Sequence, residues 1–97
     1  MIRKAYILTF DRDDDYDYKN IHDRIVSLPE VLNWFHYVKS SYILIATVNS
    51  ATTLNNKLMR IMSNKRFLLI EVNIENRNGR LPQEGWEWLR RHVDDIT

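Results

Sequence analysis

The sequence predicts a single α+β domain, residues 1–97, on three observations. Extended apolar runs alternate with two stripes of helical spacing. Gly and Pro occur only twice each, which leaves little chain for irregular loops. The segments fall in the order strand, helix, strand, strand, helix, strand, with a short aromatic helix at the end. That order is the split βαβ arrangement called ferredoxin-like: a four-stranded antiparallel sheet, strands ordered four, one, three, two, with both main helices on one face.

The first strand is read over residues 3–10, "RKAYILTF", rich in aromatic and branched side chains and stopped by an aspartate run. From Tyr18, the residues Tyr18, Ile21, Ile25 and Leu28 fall at helical spacing. The preceding acids Asp13 to Asp17 suit a positive helix N-terminus, and Pro29 stops the element. "NWFHYVKSSYILIATV", residues 33–48, holds two extended runs broken by "KSS" at 39–41, and so predicts a hairpin. After Asn49-Ser50, read as a cap, Leu54, Leu58, Ile61 and Met62 make one helical stripe, with Asn56, Lys57, Arg60 and Asn64 opposite. "RFLLIEVNI", residues 66–74, is the fourth strand, and "ENRNGR" is a turn around Gly79. Pro82 is expected at the first position of a helix, "QEGWEWLRRHV", whose stripe is Trp86, Leu89 and Val93, with Trp88 turned elsewhere.

Three of the strands, "AYILTF", "YILIATV" and "FLLIEV", are nearly unbroken apolar runs, where a half-exposed antiparallel strand should alternate. Both sheet faces are therefore expected to be covered. A terminal helix of about three turns spans roughly 16 Å and cannot hide four strands. A second copy of the chain is the economical cover, which predicts a homodimer through the open sheet face.

Composition bounds the chemistry. Hydrophobic content of 44% and aromatic content of 11% exclude a disordered chain. With 14 basic and 13 acidic side chains, the charge of +1 does not mark a polyanion binder, so any nucleic-acid surface must come from local segregation of charge. Cysteine is absent, which excludes disulfides and Cys-ligated zinc. No signal-like stretch and no long apolar span is read, so a cytoplasmic protein without a membrane partner is expected.

Read as a calcium loop, "DRDDDYDYKNIH" has Tyr16 where glycine is needed and His22 where the closing glutamate belongs, which excludes an EF-hand. Asp13 to Asp17 are assigned to capping and solvated charge. Asp11 stands apart, because it ends a central strand and is fixed by rigid backbone. If two sheets face each other, Asp11 and its mate converge near the axis and repel unless protonated or bridged by a hard cation such as Mg or Mn. Strand directions bring Asp11, Lys39, Ser40, Ser41, Lys65 and Arg66 to one edge. Asp11 is thus the candidate metal ligand and catalytic residue, Lys39, Lys65 and Arg66 the candidate phosphate contacts. His36 and Ser40 are candidate catalytic assistants, although a lone histidine in an aromatic strand more often bonds a neighbour. Trp34, Phe35, Tyr37 and Tyr42 are assigned to packing before base stacking. There is no P-loop, no dinucleotide fingerprint and no pair of histidines at metal spacing.

Over nearly the whole chain, "YILTFD", the "NWFHYVKSSYILIATV" hairpin and "GRLPQEGWEWL" resemble the small bacterial family labelled SinR-like. The fold and the strand-one aspartate resemble, more distantly, the CRISPR-associated endoribonuclease and spacer-integration scaffold family and the virulence-associated protein D toxins. That resemblance implies homodimers that pair sheet faces and a metal near Asp11. Two functions are expected: a homodimeric module binding RNA, DNA or protein, or a metal-dependent endoribonuclease or toxin-like nuclease using Asp11.

Overall fold

A computed structural model describes residues 3–12, 18–47 and 50–95 of the chain. The elements are β1 (Lys4–Phe10), α1 (Tyr18–Val26), β2 (Val31–Val38), β3 (Ser41–Ala46), α2 (Ala51–Met62), β4 (Phe67–Val72) and α3 (Gln83–His92), the last continuing into a 3₁₀ turn at Val93–Asp95. The sheet order is β2-β3-β1-β4, with every neighbouring pair antiparallel. This is the ferredoxin-like α+β architecture with a short C-terminal helix. The capping role expected of Asp13 to Asp17 and of Asn49 lies outside the described residues.

Alternation along the strands divides the core in two. Tyr6, Leu8 and Phe10 of β1 and Tyr42, Leu44 and Ala46 of β3 meet Ile21 and Ile25 of α1 and Leu54, Leu58, Ile61 and Met62 of α2. Burying such side chains stabilises by roughly 1.5–3 kcal/mol each, so this layer dominates the fold. The other face carries Ala5, Phe35 and Ile45, which pack with Ile74, Trp88 and Leu89. Register sets this second face in rungs: Asn33–Ile45–Ala5–Val72, then Phe35–Ile43–Ile7–Ile70. A third rung runs Val38–Ser41–Thr9–Leu68.

α3 lies over the first rung and the Phe35–Ile43 end of the second. Trp88 Nε1 donates to Asn33 Oδ1 at 3.1 Å, and its ring meets Phe35 and His92. The buried side of α3 is therefore Gly85, Trp88, Leu89 and His92, while Trp86 and Val93 are half-buried at its margin. This corrects the expected stripe: Trp88 is the anchor, because Asn33 gives its indole N–H a partner that Trp86 does not have among the described residues. Gly85 permits the close approach, since a Cβ there would lie 3.3 Å from Leu81 and 3.5 Å from Phe35. Two local expectations also shift. Pro82 is the N-cap of α3, not its first helical residue, and Ser50 caps α2 by extended backbone without a side-chain hydrogen bond.

Beyond α3 the second face is open. Val38, Leu68 and Ile70 are 50%, 54% and 47% exposed.

Candidate functional site

Asp11 continues the β1–β4 ladder past the end of β1: its N–H donates to the Arg66 carbonyl at 3.1 Å. Alternation from Ala5, Ile7 and Thr9 puts Asp11 at the edge of the open face, and alternation from Ile70 and Leu68 puts Arg66 beside it. Arg66 Nε donates to Asp11 Oδ2 at 2.7 Å. Both side chains are well exposed, so the pair adds little to stability, about 0–1 kcal/mol. Its consequence is electrostatic, because the carboxylate already has its countercharge.

The hairpin turn Lys39–Ser40 reaches the same edge. Phe10 N–H donates to the Ser40 carbonyl at 3.1 Å, and Arg12 Nη1 donates to the Lys39 carbonyl at 3.1 Å. Arg12 and Lys65 both lie over the Tyr18 ring at the head of α1, 4.2 and 5.2 Å from its centre. Asp11, Lys39, Ser40, Lys65 and Arg66 thus lie along one edge, as strand direction predicts. Arg12 and Tyr18 join them unpredicted. The signal available in the sequence was their position flanking the aspartate run.

His36 lies apart from this ion pair. It is on the helix side of β2, with Nε2 donating to the Lys39 carbonyl at 3.0 Å and its ring stacked 3.9 Å from that of Tyr42. Burial lowers its pKa; the Lys39 carbonyl opposes this, and the charges of His22 and Arg12 add to the lowering. Tyr42, pushed up to about 12 by burial, keeps its proton, and its hydroxyl is hydrogen-bonded to His22 Nδ1 at 2.7 Å. Trp34 meets the edge of the His22 ring at 4.8 Å. His22 was missed as a partner because its meeting with β2 depends on a register shift between Phe35 and Val38 that spacing does not reveal. The cluster has the neighbour-bonded geometry of a packing histidine. Ser40 is a half-buried turn residue whose carbonyl is used by the sheet.

A metal demands more donors than the described residues of this edge offer. Among the described residues no group of three or more His, Cys, Asp or Glu could hold an ion. One exposed carboxylate already paired with a guanidinium does not fit Mg or Mn, which take several oxygen ligands. No helix among the described residues is long and apolar enough to cross a membrane.

No family model matches the chain. No curated protein matches it either. A crystal structure of a mutant protein is similar at TM-score 0.46 and 21% identity, over 81% of this chain and 57% of its own, so the chain spans a little over half the length of that neighbour.

Proposed function

We propose that the protein is a homodimeric binding module that pairs its open sheet faces and uses the cationic strand-end edge to hold the phosphate backbone of RNA or DNA. The observation that carries this reading is the exposure of Leu68, Ile70 and Val38 on the part of the sheet face beyond α3. Apolar area removed from water is worth about 25 cal/mol per Å², and a flat sheet face is self-complementary under two-fold symmetry. Pairing two such faces brings two copies of the edge of Arg12, Lys39, Lys65 and Arg66 to one interface rim. Cations repeated along a rim suit a nucleic-acid backbone more than a single acidic group.

The test is fluorescence anisotropy with labelled single-stranded RNA and duplex DNA at low and high salt. Binding weakens steeply with salt, and Lys65→Ala with Arg66→Ala lowers the salt slope by about 2. Salt-insensitive binding, or none, would leave a protein partner as the ligand of this edge.

A second reading, a metal-dependent endoribonuclease, is favoured only by the place of Asp11 at the open-face edge, where pairing would bring two copies together. Asp11 would then bind Mg or Mn, with His36 and Ser40 assisting. Arg66 argues against it, since it neutralises the charge that would call for a cation. Asp11→Asn decides: metal-stimulated RNA cleavage by the wild type that the variant loses would revive it.

A further inference from the structure

A cavity of about 390 Å³ opens on the second sheet face, where α3 and the loop 73–81 stand over β1 and β3. Its size is within the roughly 300–1,000 Å³ typical of small-molecule sites. The floor is apolar: Ile7, Phe35, Ile43 and Val72 from the sheet, with Trp86 and Leu89 from α3.

The rim comes from the loop and is of different chemistry. Asn73, Asn76, Asn78, Arg77 and Arg80 line it, and among the described residues no carboxylate does. Asn73 Oδ1 accepts from Glu75 N–H and Asn78 Oδ1 from Gly79 N–H, both at 2.9 Å. Their amide N–H groups remain, and these only donate. Arg77 Nη1 donates to the carbonyls of Ile74 and Glu75 at 3.1 and 3.0 Å, which ties the guanidinium to the loop and leaves its remaining N–H groups. Arg80 is exposed and has no hydrogen bond or ion pair among the described residues. Gly79, at φ +149°, makes the turn between the two arginines in a conformation side chains rarely adopt.

An apolar chamber whose rim carries two guanidinium forks and, among the described residues, no carboxylate is complementary to a carboxylate on an apolar body. We propose that this cavity is a binding site for a small amphipathic carboxylate, its hydrocarbon on the Ile7–Ile43 floor and its oxygens toward Arg77 and Arg80. The site lies where α3 and the loop 73–81 border the open face, shares Val38 with that face, and does not depend on nucleic-acid binding.

Octanoate is the probe, compared by titration calorimetry with octan-1-ol, which has the same chain length without the charge. Octanoate binds saturably at one per chain and at least tenfold more tightly than the alcohol. Arg80→Gln, at a residue that holds nothing else in place, weakens octanoate at least fivefold while leaving the alcohol and the unfolding midpoint unchanged. Equal affinity for acid and alcohol, or octanoate binding unchanged in Arg80→Gln, would overturn the proposal. So would absence of saturable binding by a protein shown by sedimentation to bury this face between two copies, which would assign the cavity to the partner chain.

Discussion

Tyr6 is fully buried between the sheet and the two main helices, and its hydroxyl has no hydrogen-bond partner among the described residues. Burial, reinforced by Glu71 and opposed by Lys4, raises its pKa, so the group stays a neutral, unsatisfied donor. Stranding such a group costs about 1–3 kcal/mol, and Tyr6→Phe keeps the ring while removing it. The variant is expected to unfold at a higher urea concentration than wild type, by about 1 kcal/mol; a loss of stability would show that the hydroxyl is satisfied. His36 gives a pH signature. Its folded pKa lies below the 6.5 of the free side chain, mainly through burial. Above that value both states are neutral and the full stability is present. As pH falls through 6.5 toward the lowered folded value, the unfolded chain takes up the proton first, and stability declines. Glu30, lowered first by its hydrogen bond from Lys57, acts in a separate window that opens as pH falls below its ordinary 4.5. His36→Gln should therefore flatten the fall in melting temperature between pH 7.5 and 5.5, and an unchanged slope would remove His36 as its source.

At the scale of the element, α3 separates what local pattern can tell from what it cannot. Trp86–Leu89–Val93 and Trp88–Leu89–His92 are both helical stripes, and spacing alone does not choose between them. The choice is made by Asn33, 55 residues from Trp88 in the chain, which accepts the indole N–H and donates to His92. Trp88→Ala is accordingly expected to cost about 3 kcal/mol or more, the loss typical of a buried aromatic, and Trp86→Ala clearly less. Denaturant midpoints of the two variants check the order, and the reverse order would restore the expected stripe. The strands were easier, because branched and aromatic runs with one turn between them specify a hairpin locally. Ser50 is the cap that the sequence indicates, without a side-chain hydrogen bond, and Pro82 falls one position earlier than expected, since helix ends depend on one or two dihedral angles.

For the whole molecule, the strand order and the sharing of one face by α1 and α2 were legible, since few topologies satisfy that element order. The strand-end edge was legible as a neighbourhood, because strand direction alone gathers Asp11, Lys39, Ser40, Lys65 and Arg66. The Asp11–Arg66 pair was not, because it needs the β1–β4 register, which joins residues 55 apart. The His22–Tyr42–His36 stack and the rim of the carboxylate cavity needed side-chain placement that no spacing rule supplies. The unbroken apolar strands are covered only in part: α3 covers one end of the second face, and Leu68 and Ile70 are left exposed. Pairing of that face is the central claim, and sedimentation equilibrium at micromolar concentration tests it most directly. Wild type should sediment at twice the 11.7 kDa chain mass and the Leu68→Glu, Ile70→Glu double variant at the chain mass with its secondary structure intact. A wild type that sediments as a monomer, or a double variant that remains a dimer, would contradict the account.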